Sequence, residues 1–114
     1  MSVKLNTRQV GEVTVIDVAG RITLGEGSSA LRDAIRELVG KDQKKILLSL
    51  GEVSYIDSSG IGELVSGFTT VTNHGGVLKL LGLTKRVQDL LQITKLYTVF
   101  DIYDSEVSAV RSFS

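Results

Sequence analysis

Apolar and polar residues alternate from the third position of the chain. Val3, Leu5 and Thr7 are separated by polar neighbours, "QVGEV" breaks the run, and "VTVIDVAG" from Val13 to Gly20 resumes it. A period of two predicts two strands joined by a turn, an antiparallel hairpin that opens a sheet. After "RITLGEG", whose Gly25 and Gly27 predict a loop, the period changes. Leu31, Ala34, Ile35, Leu38 and Val39 recur at the spacing of an amphipathic helix, with Ser28 or Ser29 to cap its start and Gly40 to end it. "KILLSL", from Lys45 to Leu50, is apolar almost without alternation and predicts a central strand covered on both faces.

The second half repeats this change of period. From Ile61, the apolar residues Leu64, Val65, Phe68 and Val71 fall on one helix face, and the helix should stop at "NHGG", Asn73 to Gly76. "VLKLLGL" from Val77 to Leu83 predicts another buried strand. In "TKRVQDLLQITKL", Thr84 can cap a helix that carries Val87, Leu90 and Leu91 on one face. A short strand around Val99 to Tyr103 and a helix from about Asp104 to Arg111 complete the order ββαβαβαβα. Strands alternating with helices predict an α/β fold, and the opening hairpin makes its sheet mixed: mostly parallel strands, one antiparallel edge, helices packed against them.

Composition narrows the chemistry. A chain of 114 residues with 42% hydrophobic content fits one domain with its own core, taken here as 1–114 with the core at about 3–110. The absence of cysteine removes disulfides and thiolate chemistry. Thirteen basic residues balance thirteen acidic ones, without the basic field of a nucleic-acid binder, so no direct contact with nucleic acid is expected. No stretch approaches the roughly 18 apolar residues of a membrane span, and the start carries no signal-peptide pattern, so a cytoplasmic protein without membrane insertion is expected.

The candidate chemistry lies in "YIDSSGIGELVSGF", Tyr55 to Phe68, where a carboxylate, two hydroxyls and two glycines stand at a strand-to-helix junction. A serine nucleophile needs an adjacent base. The only histidine, His74, lies at the far end of the same predicted helix, on the order of 20 Å from Ser58 at 1.5 Å rise per residue. No enzyme is expected. One histidine without cysteine leaves too few ligands for a metal site, and no cofactor is expected. Gly60-Ile61-Gly62 lacks the third glycine of a dinucleotide fingerprint, and Gly25-Glu26-Gly27 is equally unspecific. Asp57 and the serines suit an N-cap, but one capping side chain suffices, while glycines at positions 60 and 62 weaken a helix by roughly 1 kcal/mol each. Such a cost predicts a close approach by another backbone at the loop and first turn.

With "KILLSLGEV" before it and "GGVLKLLGLTKRVQDLLQITKL" after it, this stretch resembles the STAS-domain anti-sigma factor antagonists, also called anti-anti-sigma factors. The resemblance spans about Val3 to Val110 and is most specific at D-S-[ST]-G-[LI]-G. It implies a single STAS-like domain in which Ser58 is phosphorylated by an anti-sigma factor that is itself a serine kinase. The unphosphorylated antagonist would bind that anti-sigma factor and free the sigma factor. Phosphorylation would release it, and a metal-dependent serine phosphatase would reset it.

Asp57 would position the hydroxyl and shape the docking surface, Ser59 would be a neighbouring contact, and Gly60 and Gly62 would permit close approach. "RITLGEG" departs from the acidic or aromatic residues that many members carry after the second strand. The alternative implied by the resemblance is a STAS interaction subunit of a lipid-transport ATPase complex or a stress-signalling scaffold, docking through the same loop without a phosphoswitch.

Overall fold

The computed structural model describes residues 3–114. The alternating start forms β1 (Val3–Val10) and β2 (Val13–Ile22), paired antiparallel with Val10 opposite Val13. Helix α1 (Glu26–Gly40) leads to β3 (Lys45–Ile56), α2 (Ser58–Asn73) to β4 (Val77–Leu81), and α3 (Lys85–Ile93) with a single 3₁₀ turn to β5 (Ile102–Tyr103), before α4 (Glu106–Arg111). The five strands lie in chain order, with β2 to β5 mutually parallel. This is the mixed sheet and the element order that the periodicity predicts.

Adjacent residues of a strand point to opposite faces, and the sheet uses both. Ile16, Leu48 and Leu80 join Leu31 and Ile35 of α1, Leu64 and Val71 of α2, and Val87 and Leu91 of α3 in the main core. Their neighbours Val15, Leu47 and Leu81 turn to the other face, where Ala109 of α4 packs with Val110 and Phe113. Helix α4 has little apolar surface of its own and is clamped by charge. Arg8 donates to Asp17 at 2.7 Å and to Glu106 at 2.6 Å, and the buried Lys79 donates to the Ser112 carbonyl and hydroxyl at 3.0 and 2.9 Å.

Local signals fail where packing overrides them. Helix α1 is not capped by Ser28 or Ser29. It starts at Glu26 behind Gly25, with no side-chain cap, and both serines lie inside it. Gly27 belongs to this helix rather than to a loop, and a glycine is needed there because a Cβ would stand 2.6 Å from the Arg21 carbonyl oxygen. Strand β3 does not stop at Leu50. It runs through Gly51 to Ile56, its register against β2 shifting twice between Asp17 and Arg21. The last strand shrinks to Ile102–Tyr103, since Val99 keeps the helical backbone of the 3₁₀ turn at Leu96–Thr98 and Phe100 bends the chain, and α4 is capped by Ser105 one residue after the expected start. Helix α2 stops where expected, with Gly75 at φ 80°.

Candidate functional site

The site is built by a long strand handing over to a helix at one residue. Asp57 leaves β3 with extended backbone, φ −109° and ψ −174°, and becomes the N-cap of α2. Its Oδ1 accepts the Gly60 N–H at 2.9 Å, which satisfies one of the free donors of the first turn. Its Oδ2 accepts the Leu24 N–H at 3.2 Å, so one carboxylate also ties down the loop between β2 and α1. The Gly60 N–H first, and the Leu24 N–H after it, hold the Asp57 carboxyl below the usual carboxylate range, against a partial desolvation that pushes it up. Asp57 is therefore a permanent anion at neutral pH.

Ser58 is the first residue of α2 and is exposed, and its hydroxyl makes no hydrogen bond among the described residues. Ser59 is partly covered. The two glycines differ. Gly60 is buried, and a Cβ there would run into the Ile22 carbonyl oxygen and stand 2.6 Å from Ile56 Cγ1. The close approach it allows is made inside the chain, between the start of α2 and the end of β2. Gly62 is exposed with nothing within 4 Å of a Cβ, so no internal contact calls for a glycine. His74 follows the C-terminal end of α2, its Nδ1 2.8 Å from the Thr70 carbonyl oxygen, remote from both serines.

Two features escape a reading by motif. Leu24 is 78% exposed although apolar, standing beside Asp57 on a backbone that Gly25 at φ 98° turns sharply. Its only trace in the sequence is a leucine inside "RITLGEG", the stretch expected to form a loop. Three residues before Ser58, Tyr55 stacks with Arg21 of β2 and Arg86 of α3, whose Cζ atoms lie 4.7 and 4.4 Å from the ring centroid. Those three residues are far apart in the chain, and no spacing rule connects them.

Among the described residues no group of three or more histidine, cysteine, aspartate or glutamate side chains could hold a metal ion. No helix among them is long and apolar enough to cross a membrane.

The sequence profile of the STAS domain matches residues 4–109. The chain belongs to the STAS domain family. It is 31% identical over 102 residues to the anti-sigma-B factor antagonist of Bacillus subtilis, which covers 90% of this chain and 92% of that one. A crystal structure of an anti-sigma factor antagonist from Mycobacterium paratuberculosis shares the fold at a TM-score of 0.87, with 19% identity over 98% of this chain and 94% of that one. The Bacillus cell fate determinant SpoIIAA in its phosphorylated form has a TM-score of 0.77 and 18% identity, covering 97% of this chain and all of that one. The resemblance read from D-S-S-G-I-G and its flanks is thus shown at the level of the family, and the STAS fold places that motif at the junction of β3 and α2.

Proposed function

We propose that this STAS domain is an anti-sigma factor antagonist switched by phosphorylation of Ser58. Its unmodified form binds an anti-sigma factor serine kinase and thereby frees a sigma factor, and the phosphorylated form lets go. The observation that carries the proposal is the exposed Ser58 hydroxyl at the first position of α2, without a partner among the described residues, beside an Asp57 whose two oxygens are already committed to backbone N–H groups. Such a hydroxyl is offered outward. With no histidine near it and a permanent carboxylate next to it, it fits the acceptor of another protein's kinase site better than a nucleophile of its own. The family relationship to an anti-sigma-B factor antagonist supports the same reading.

Phosphate adds about −1.5 to −2 charge at a helix N-terminus, where free N–H groups and the macrodipole favour it, so the fold survives modification. The interface does not. Leu24, Ser58 and Gly62 form its exposed part, with the partly covered Ser59 between them and Asp57 fixing the loop behind. A dianion pressed against a partner without a matching cation costs about 3 kcal/mol or more, roughly a hundredfold or more in Kd. On this reading the protein works in the cytoplasm, and a metal-dependent serine phosphatase restores the binding form.

The test is a calorimetric titration of the cognate anti-sigma factor with the unmodified protein and with its Ser58-phosphorylated form. Tight binding of the first and at least a hundredfold weaker binding of the second is the expected result. Equal affinities would overturn the switch.

A further inference from the structure

Two guanidinium groups from different elements close on one ring, that of Tyr55, three residues before Ser58 in the chain. Arg21 comes from β2 and Arg86 from the first turn of α3, and both lie within cation–π distance of Tyr55. Both arginines are exposed and Tyr55 is half-buried. Among the described residues neither arginine has a carboxylate partner, whereas Arg8 pairs with Asp17 and Glu106, and Arg32 with Glu63. The ring attracts each cation weakly while the two cations repel each other, so the stack is a concentrated positive spot without an anion.

Its position relative to Ser58 is set by the backbone. Tyr55 precedes Ser58 by three residues, at most about 10 Å of chain. Arg21 precedes Ile22, whose carbonyl oxygen accepts the Asp57 N–H at 3.3 Å and also limits the space at Gly60. The chain on both sides of Ser58 therefore rests on the residue next to Arg21.

The geometry points to an intramolecular anion latch: when Ser58 carries a phosphate, Arg21 or Arg86 leaves the face of Tyr55 and pairs with the phosphate oxygens. This rests on the reading of Ser58 as the phosphorylated residue. A guanidinium presents two parallel N–H donors to two phosphate oxygens, a stronger contact than the face of a ring. Tyr55 is the resting platform that keeps the two cations near the acceptor before the phosphate arrives. The latch folds the phosphate back over the N-terminus of α2, so the modified form has a defined surface of its own. The other charges that the topology places toward this end of the sheet include Asp57, Lys4 of β1, Glu52 of β3, Asp104 after β5, Glu26 at the start of α1, the Arg32–Glu63 pair and the Lys85–Asp89 pair, and they are the same in every variant below.

The test uses the full chain with phosphoserine installed at position 58 during synthesis, so its outcome does not depend on whether a kinase modifies that residue. Phosphorus NMR titration gives the second pKa of the phosphate in the wild-type background and in Arg21→Gln, Arg86→Gln and the distant control Lys95→Gln. A cation held near the phosphate lowers that pKa, by about half a unit for unit charges some 6 Å apart in water and by more on contact. The expected result is a rise of half a unit or more in at least one arginine variant and none in Lys95→Gln. Identical pKa values in all four proteins would overturn the latch. A second measurement needs no substitution. Nuclear Overhauser contacts between the Tyr55 ring and the δ-protons of the two arginines should weaken for at least one arginine on phosphorylation, and contacts of unchanged intensity for both would contradict the proposal.

Discussion

Asp57 and Leu24 are 33 residues apart, and the carboxylate of the first holds the backbone N–H of the second at 3.2 Å while its other oxygen caps α2 through Gly60 at 2.9 Å. One side chain thus closes a helix start and fixes the neighbouring loop, which gives the exposed Leu24 and Ser58 a common rigid base.

Replacing Asp57 by alanine should therefore cost about 1–2 kcal/mol, the upper end of an N-cap because a loop contact is lost with it. Urea unfolding at neutral pH should show a lower midpoint with an unchanged slope. The pH dependence has a definite sign. The folded pKa of Asp57 lies below its unfolded value, so its contribution is complete above the unfolded pKa of about 3.9 and disappears as the pH falls through the lower folded value. The gap between wild type and variant should close in acid. A gap that stays constant down to the lowest measurable pH would contradict the assigned contacts.

The two glycines of the motif should respond in opposite directions. Gly60→Ala forces a methyl group against the Ile22 carbonyl and the Ile56 side chain and should destabilise by about 1–3 kcal/mol. Gly62→Ala meets open space inside a helix and should stabilise by up to about 1 kcal/mol. Thermal unfolding of the two variants side by side decides the matter, and equal shifts would show that the packing around Gly60 is misassigned.

Much of the fold was legible because apolar periodicity reports burial directly: Leu64 and Val71 of α2, Val87 and Leu91 of α3, and the run Ile46–Leu48 all reach the core. The failures share a cause, which is tertiary contact between residues distant in sequence. Ser28 and Ser29 look like caps, but α1 already starts at Glu26, with Gly27 in its first turn packed on the Arg21 backbone. Gly51 looks like a strand end, but pairing with β2 carries β3 on to Ile56, which is what sets the motif where it stands. Of the site, the cap and the exposed hydroxyl could be read locally. The burial of Gly60, the exposure of Leu24 and the stacking on Tyr55 depend on β2, α1 and α3 and have no local signature.

The charge clamp on α4 makes a separate prediction. Glu106 first, then Asp17, raise the Arg8 pKa through their hydrogen bonds, and Arg8 in turn holds both carboxyls below their usual range. All three side chains are more than a third exposed, so screening limits the network, and Arg8→Met should cost only about 1 kcal/mol. Both carboxyl pKa values are depressed on folding, so this contribution is present above the unfolded carboxylate values and lost as the pH falls through the folded ones. Denaturant melts should show the difference at neutral pH and low salt, shrinking in 1 M salt and, separately, in acid. A difference indifferent to both would mean that the side chain acts by packing alone.

Leu24 separates stability from binding. At 78% exposure its truncation to alanine should change the unfolding midpoint little, yet if the face beside Ser58 docks the partner as proposed, loss of this apolar anchor should weaken anti-sigma factor binding by tenfold or more. Calorimetry on a variant with an unaltered melting curve reads this directly. An unchanged Kd would remove Leu24 from the interface.

The central claim is that Ser58 is a substrate for another protein's kinase. Mass spectrometry of wild type and Ser58→Ala after incubation with the cognate anti-sigma factor and ATP tests it most directly. One phosphate on wild type, carried by the peptide that contains Ser58, and none on the variant is the predicted result. Equal phosphorylation of Ser58→Ala, or a phosphate on a different residue of the wild type, would contradict it.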